Sequence, residues 1–264
     1  MSLTEGKCAI CGAFGPLTEE HIPPRAAFNK CTVLEQQMRR EGWDAQFSGA
    51  RRRQGGLRRP SLCARCNNIT GHWYADAYVD FALQSAHVPS PAIANKTATY
   101  FVDGFFPMRV VKQVLAMMCT VCGPGLASRH TELTHIILGK YNQVLPPPLR
   151  LYGYLKCSPM GRHAGMSAVI RVDQRKSYKV AEFSWWPFGW VLSYDYISEH
   201  VLTEVTDWLR WDYRTARSTS VRFPIYHNVT PFPLDYRTPE QVAREADATG
   251  LESVSYTHLT PPTI

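Results

Sequence analysis

The chain has 264 residues, 45% hydrophobic and 19% charged, with a formal net charge of +7, a composition typical of a globular protein with one large or two unequal domains. No uninterrupted apolar run approaches the ~18 residues of a membrane-spanning helix, and the polar N-terminus is unlike a signal peptide, so we expect a cytoplasmic protein without a membrane partner. Four of the eight cysteines lie in two Cys-x-x-Cys motifs in the first quarter of the chain, which favours metal binding in a reducing compartment over a disulfide framework.

Two Cys-x-x-Cys motifs lie in the first quarter of the chain and contain Cys8, Cys11, Cys63 and Cys66. Four thiolates complete a tetrahedral zinc site without any histidine. His21, which lies between the motifs, is therefore free to act as a general base. Glu20 precedes it and Asn67 directly follows the second motif, so the same scaffold can present two oxygen ligands to a hard metal ion beside the imidazole.

Local patterns predict four elements around these motifs. They are a strand over Thr18–Ile22, a helix over Cys31–Glu41, an insert without regular structure over Gly42–Pro60 and a helix from Cys63 towards Gln84. Pro23 should end the strand because proline supplies no ladder donor. Phe14 and Leu17 are expected to pack beneath the first cysteine motif. Gly71 weakens the long helix, which suggests a close approach of a strand, a metal or a phosphate.

The positive charge is concentrated between the two cysteine motifs. Residues 25–59 contain nine basic and three acidic residues, and nine minus three gives +6, nearly the whole excess. A solvated, mobile loop would explain a lone run of charge. Next to a candidate phosphodiesterase site we favour a nucleic-acid partner, with duplex DNA foremost, since arginine suits bidentate contact with phosphate. The candidate contacts are Arg25, Arg39, Arg40, Arg51, Arg52, Arg53, Arg58 and Arg59.

The rest of the chain predicts a strand, several helices and then an antiparallel meander. The predicted strands are Thr97–Phe106, Leu149–Lys156, Met166–Val172, Tyr178–Trp186, Gly189–Tyr194 and Ser220–His227. The predicted helices are Pro107–Cys122, Glu132–Leu138 and Ser198–Trp208. For the first of these helices, proline at the opening position and the Gly-Pro-Gly sequence after its end are the signals.

Two clusters in this part have alternative interpretations. Cys119 and Cys122 form a third Cys-x-x-Cys, and His130 and His135 follow, so a second zinc site is one hypothesis. The two cysteines fall within an apolar helical pattern, however, and we favour the role of small buried hydrophobes. The tryptophans around Pro187 are likewise expected in the sheet core rather than in a nucleotide-stacking platform.

Together these patterns predict an α+β protein. A small zinc-braced domain should cover residues 1–87, and a larger α+β domain with an antiparallel sheet should cover residues 96–237 after a proline-containing linker. A terminal helix is predicted from residue 238 by a capping-box pattern. Residues 253–264 resemble translated adapter sequence and are left out of the fold prediction. The larger domain could serve substrate choice, dimerisation or partner docking.

The sequence Leu-Thr-Glu-Glu-His-Ile-Pro-Pro-Arg between the motifs, with asparagine directly after the last cysteine, resembles the HNH or ββα-metal endonucleases. The similarity is to the zinc-braced branch of endonuclease VII-type resolvases, and it covers about the first quarter of the chain. It implies that the four cysteines hold a structural zinc ion, that His21 is the general base, and that Glu20 and Asn67 bind a catalytic ion. Two positions depart from the family. The acidic residue there is more often aspartate, and His72, the nearest counterpart of the final histidine, follows Asn67 more closely than usual.

The resemblance implies phosphodiester hydrolysis with a single Mg²⁺ or Mn²⁺ ion. His21 would take a proton from the attacking water, and the ion would stabilise the leaving oxygen, which gives 5′-phosphate and 3′-hydroxyl ends. An imidazole with a pKa of ~6.5 suits this task at physiological pH. Two alternatives stay open. One is a non-catalytic zinc module that binds nucleic acid or protein, and the other is a nuclease for RNA or modified DNA.

Overall fold

The computed structural model describes residues 4–35, 38–41, 44–47, 51–93, 96–141, 143–158, 160–171, 176–198 and 201–226. These residues form a mixed α+β fold with one seven-stranded sheet, four two-stranded sheets and five α-helices. The α+β class predicted from the sequence is confirmed.

The first 93 residues form the two-stranded sheets and one long helix. The strands are β1 (Glu5–Lys7), β2 (Phe14–Pro16), β3 (Thr18–His21), β4 (Val33–Glu35), β5 (Met38–Glu41), β6 (Asp44–Phe47), β7 (Arg51–Arg53) and β8 (Arg58–Leu62). They pair in antiparallel fashion as β1 with β2, β3 with β8, β4 with β7 and β5 with β6. The helix consists of α1 (Ala64–Thr70), a π-helical turn (Gly71–Ala75) and α2 (Asp76–Ser85), which confirms the long helix predicted here. The paired strands β3 and β8 and the following α1 form a β-β-α unit.

Two expectations for this part are wrong. Residues Cys31–Glu41, predicted as a helix, contain β4 and β5. The β-branched Val33 favours extended backbone. Pairing with β7 satisfies the backbone groups of this segment by hydrogen bonds between strands, in place of those within a short helix. The insert Gly42–Pro60, for which no regular structure is predicted, contains β6, β7 and part of β8, which pair with β5, β4 and β3 respectively. For Gly71, no heavy atom of another described segment lies within 4 Å of a Cβ built there, so no described strand makes the close approach considered for it, and the metal and phosphate alternatives stay predictions.

The remaining described chain contains the seven-stranded sheet and three helices. The strands are β9 (Thr97–Phe105), β10 (Arg150–Lys156), β11 (Arg162–Arg171), β12 (Lys176–Trp185), β13 (Phe188–Ser193), β14 (Thr203–Glu204) and β15 (Arg217–Tyr226). Their order is β11–β12–β13–β10–β15–β9, with β14 paired to β10. The helices are α3 (Pro107–Cys122), α4 (Pro124–Arg129) and α5 (Thr131–Leu138). All six predicted strands are therefore present.

The C-terminal elements differ from the prediction in two respects. β11, β12, β13 and β10 are antiparallel neighbours, but β10 and β15 are parallel, so the sheet is not a pure meander. The helix predicted over Ser198–Trp208 is wrong, because this stretch contains β14 and leads into a 3₁₀-helical turn, Thr206–Arg210. Pairing of β14 with β10, and a 2.8 Å hydrogen bond from Val205 N to Leu151 O, satisfy backbone groups that a helix would need. The helix predicted from residue 238 lies outside the described residues.

Helix α3 packs against β11 and β12 at the centre of the core. Its residues Val110 and Met118 are fully buried, as predicted for the apolar face, and Trp190 of the sheet is fully buried as well. The same cluster of buried residues includes Cys8 from the N-terminal part. Residues on both sides of the linker predicted over 88–95 thus share one core, and the domain boundaries themselves stay a prediction.

Candidate functional site

The four cysteines predicted as metal ligands converge on one point. Their Sγ atoms all lie within 4.8 Å of one another, and the Sγ atoms of Cys11 and Cys63 are 3.8 Å apart. Four sulfurs at ~2.3 Å from one tetrahedral zinc ion would be separated by roughly 3.8 Å, so this spacing fits such an ion. Cys8 and Cys66 are completely buried, which shields the cluster from solvent. The cluster can therefore hold a metal ion such as zinc.

Backbone contacts position the four thiols. Gly12 has a φ of 73°, which lets the chain turn back so that its amide donates to the carbonyl of Cys8 at 2.9 Å. The amide of Ala9 donates to Ser61 O at 2.9 Å, and this contact joins the first motif to β8. Cys63 directly follows β8, so the two motifs are fixed relative to each other by the β-β-α unit.

The side chains that flank the first motif divide between the core and solvent. Leu17 is buried as predicted, and Gly6 makes room for it, since a Cβ on that glycine would lie 2.9 Å from the Leu17 Cδ1 atom. Phe14, in contrast, is 73% exposed and does not pack beneath the motif. Its strand, β2, pairs only with β1 among the described strands, so no second layer covers it.

The clustered thiols change one another's pKa. A hydrogen bond from Cys66 lowers the pKa of Cys8 to about 4, and the same contact raises the pKa of Cys66. Cys8 is therefore the thiol of the cluster that loses its proton most readily. A divalent ion that binds there would displace the remaining protons, as thiolates are the ligating form.

His21 occupies the last position of β3, opposite Arg58 of β8. Its Nε2 atom lies 3.2 Å from the carbonyl oxygen of Gly55. A carbonyl can only accept, so Nε2 carries the proton and Nδ1 has the free lone pair. Partial burial lowers the pKa of His21; the hydrogen bond to Gly55 opposes this, and the guanidinium groups of Arg58 and Arg25 add to it. The imidazole is therefore neutral at neutral pH and can accept a proton at Nδ1.

Asn67 on α1 faces β3. Its Nδ2 atom donates to the hydroxyl of Thr18 at 2.9 Å and to Glu19 O at 3.4 Å. The Thr18 hydroxyl donates its own proton to Leu62 O at 2.9 Å, so it must accept from Asn67, which fixes the orientation of the amide. Oδ1 accepts no hydrogen bond from the residues that the structure describes. The amide oxygen is therefore available as a ligand for a hard cation.

Glu20 is a buried carboxyl on β3, with 9% of its surface exposed. Burial raises the pKa of Glu20 to about 7. No described residue donates a hydrogen bond to it or forms an ion pair with it, so nothing on the described chain replaces the lost hydration of the ionised form. A cation beside Glu20 would remove this penalty.

His72 is exposed on the π-helical turn. Across the described ranges, the four cysteines are the one group of three or more His, Cys, Asp or Glu side chains whose ligand atoms converge. Glu20, His21 and His72 do not form a second such group. The assignment of His72 as a ligand of a catalytic ion therefore stays a prediction without a supporting contact.

Asn29, which the sequence reasoning missed, holds the loop after β3 together. Its Nδ2 atom donates to Pro23 O at 2.8 Å and to Leu57 O at 3.0 Å. The amide of Leu57 donates to Asn29 Oδ1 at 2.7 Å. Asn29 is completely buried, so these three hydrogen bonds replace all of its contact with water. The two ends of the long connection between β3 and β8 are thereby fixed to each other.

The glycine pair Gly55-Gly56 is the sequence signal that could have revealed this loop. Gly56 has a φ of 90°, and a Cβ on it would overlap the backbone carbonyl of Asn29. Only glycine fits such a close approach in the left-handed region. Because Gly55 is the neighbouring residue, the contact between Asn29 and Gly56 also positions the carbonyl that binds His21.

The predicted nucleic-acid-binding arginines fall into two groups. Arg53 and Arg59 both contact Glu35, at 2.9 and 3.1 Å, and Arg58 contacts Glu19 at 2.7 Å. The other group is exposed and has no ion pair with the described residues: Arg25, Arg51 and Arg52. The backbone of β5 includes Arg39 and Arg40.

The third Cys-x-x-Cys does not form a second metal cluster with any described histidine. Cys119 is fully buried within the core, and burial raises the pKa of its thiol. The ring of His130 instead contacts the hydroxyl of Tyr194 at 2.6 Å. His135 is exposed. These positions support the interpretation of Cys119 as a small buried hydrophobe.

In comparisons with known proteins, no family model, no curated protein and no solved structure matches the chain. Among the described helices, none is both long enough and apolar enough to cross a membrane.

Proposed function

We propose that the protein is a metal-dependent endonuclease of the HNH type that hydrolyses phosphodiester bonds in DNA. The observation that supports the proposal is the β-β-α unit: β3 carries the neutral imidazole of His21 and the buried, unpartnered carboxyl of Glu20, and α1, which begins within the second cysteine motif, carries the free amide oxygen of Asn67. A structural zinc ion in the four-cysteine cluster would brace the unit, because it joins the turn before β3 to the start of α1.

In this mechanism each residue has a separate task. Nδ1 of His21 accepts a proton from water, whose oxygen bonds to phosphorus while the bond from phosphorus to the 3′ oxygen breaks. Glu20 and Asn67 Oδ1 would hold Mg²⁺ or Mn²⁺, which would supply charge stabilisation at the leaving oxygen. The hydrogen bond from His21 Nε2 to Gly55 O keeps the ring in the tautomer that can act as a base. The leaving 3′ oxygen would take a proton from solvent water, so the products would have 5′-phosphate and 3′-hydroxyl ends.

The test compares cleavage of supercoiled plasmid, linear duplex, single-stranded DNA and RNA by wild type and His21→Ala. We expect wild type to nick or cut duplex DNA in Mg²⁺ or Mn²⁺ and to stop in EDTA. His21→Ala should lose at least ~100-fold in rate while keeping its zinc content and DNA affinity, because only proton transfer is removed. His87→Ala, at an exposed histidine outside the β-β-α unit, is the control and should cleave like wild type.

A second candidate function is a non-catalytic zinc module that binds nucleic acid or protein. The observation in its favour is that Glu20, His21 and His72 do not converge as a group of metal ligands within the described chain. Absence of cleavage on all four substrates with either ion would select this function. Equal cleavage by wild type and His21→Ala would show that the activity belongs to a contaminant.

A further inference from the structure

Strands β4 and β7 form a ribbon that stands apart from every other described strand. Arg53, Arg52 and Arg51 lie opposite Val33, Leu34 and Glu35, and neither strand pairs with a third one within the described ranges. The next segment of the insert, β5 with β6, is a second two-stranded pair. The insert between the two halves of the β-β-α unit is therefore a β-ribbon arm in its described residues.

The arm carries arginine on both of its faces. Successive side chains in a strand point to opposite faces, so Arg51 and Arg53 lie on one face and Arg52 lies on the other. All three are exposed. An element that binds a flat anionic surface needs basic residues on one face only. Basic residues on both faces fit a partner with an anionic wall on each side, which is the arrangement of a nucleic-acid groove.

We propose that the β4–β7 ribbon enters the major groove of B-form duplex DNA, with Arg51 and Arg52 directed to opposite walls. This inference rests on the proposed function and specifies its substrate class. The major groove is ~12 Å wide and admits a two-stranded ribbon, whereas the minor groove is only ~6 Å wide. The major groove of A-form duplex RNA is too deep and narrow for side chains to read. The ribbon therefore selects duplex DNA over duplex RNA.

Glu35 connects the ribbon to the catalytic strands. Its carboxylate accepts from Arg53 on the ribbon at 2.9 Å and from Arg59 on β8 at 3.1 Å. Arg59 is the neighbour of Arg58, which lies directly opposite His21. The ribbon is thus tied to β8 through Arg59, which lies opposite Glu20 of β3, so a duplex bound by the ribbon would lie close to the candidate site.

The test measures equilibrium binding of zinc-loaded protein without Mg²⁺ or Mn²⁺, so that catalysis does not enter. The probes are one duplex DNA, the same duplex with glucosylated 5-hydroxymethylcytosine, which fills the major groove, the same duplex with netropsin in the minor groove, and duplex RNA of the same sequence. We expect tight binding to the plain and netropsin-bound DNA and at least tenfold weaker binding to the other two. Arg51→Ala/Arg52→Ala should weaken binding by roughly tenfold per arginine and lower the salt slope by up to ~0.9 for each lost phosphate contact.

The matched control is Arg214→Ala/Arg222→Ala, two exposed arginines in the C-terminal part of the described chain, which should bind like wild type. Zinc content and melting temperature of both double variants should be unchanged, because none of the four side chains is buried. Equal binding to duplex RNA, loss of binding with netropsin alone, or an unchanged salt slope in Arg51→Ala/Arg52→Ala would overturn the inference. Selective binding to duplex DNA without any cleavage would support entry of the ribbon into the major groove and refute the nuclease activity. Equal cleavage of plain and glucosylated DNA would support the nuclease activity and refute entry of the ribbon into the major groove.

Discussion

Asn29→Ala tests whether the loop after β3 acts as a support for His21. The change removes two hydrogen bonds to carbonyl oxygens and one from the amide of Leu57, all at buried positions. Stranding a buried polar group destabilises by ~1–3 kcal/mol, so three such groups give a loss of about 3 kcal/mol at the lower end of that range. For a chain of this size we expect a melting temperature lower by roughly 6–12 °C.

The functional consequence should reach His21 through Gly55. When the loop loosens, water reaches the imidazole, the burial that lowers its pKa is relieved, and the pKa of His21 rises towards ~6.5. Nuclear magnetic resonance titration of histidine-labelled protein measures this shift without requiring activity. Asn29→Asp is the comparison variant, since it keeps the oxygen that accepts from Leu57 N but loses the two hydrogen bonds that Nδ2 donates to Pro23 O and Leu57 O. An unchanged melting temperature together with an unchanged His21 pKa in Asn29→Ala would refute the supporting role.

Three further predictions concern the metal, the carboxyl and acid stability. Elemental analysis should find one zinc ion per chain, lost in Cys63→Ser and kept in Cys157→Ser; two ions would instead favour the Cys119 site. The midpoint of the pH–rate profile should lie near pH 7 at low Mg²⁺ and fall as Mg²⁺ rises, because the ion competes with the proton on Glu20; a fixed midpoint would exclude Glu20 as a ligand. Burial, with Arg59 and Lys156 nearby, lowers the pKa of His163 to about 3. Between pH 6.5 and pH 3 the imidazole therefore binds a proton in the unfolded chain but not in the folded one. In denaturant titrations the free energy of unfolding of wild type should fall by about 2 kcal/mol more than that of His163→Phe when the pH is lowered from 6.5 to 5. Parallel pH dependence in both proteins would contradict this.

Local signals predicted the elements that depend on local interactions. Helix α3 begins at Pro107 and ends at Cys122, as its opening proline and the following Gly123, with a φ of 72°, indicate. These residues act on their own backbone, so no knowledge of distant partners is needed. The strands of the large sheet were found for a similar reason, because glycine and proline divide them.

The elements that were predicted wrongly depend on distant partners. Val33–Glu35 is a strand because it pairs with a run of three arginines, a segment that no apolar alternation identifies as a strand. Thr203–Glu204 is a strand because β10 offers it backbone partners about fifty residues earlier in the chain. In both cases tertiary pairing decides between conformations that the local sequence leaves close in energy.

In the candidate site, too, the features set by local sequence were predictable and those set by distant partners were not. Convergence of the four thiols was predictable, since Cys-x-x-Cys spacing already directs each pair of thiols to one point. The role of Asn29 was not, because its partner Leu57 is 28 residues away and an isolated asparagine has no distinguishing pattern. The orientation of Asn67 also needed the structure, as only the hydroxyl of Thr18 determines which end of the amide is free.

The environment of Glu20 is the strongest support for the proposal of a cation site there. Arg59 lies directly opposite Glu20 in the β3–β8 pairing and would be the natural partner for a buried carboxylate. Its guanidinium contacts Glu35 instead, at 3.1 Å, and Glu20 is left without a partner among the described residues. A purely structural unit would gain stability by pairing the two or by replacing the acid with an apolar residue. The proposed divalent-ion site needs a carboxylate that no guanidinium neutralises, and the contact of Arg59 with Glu35 meets this need while it ties the β4–β7 ribbon to β8.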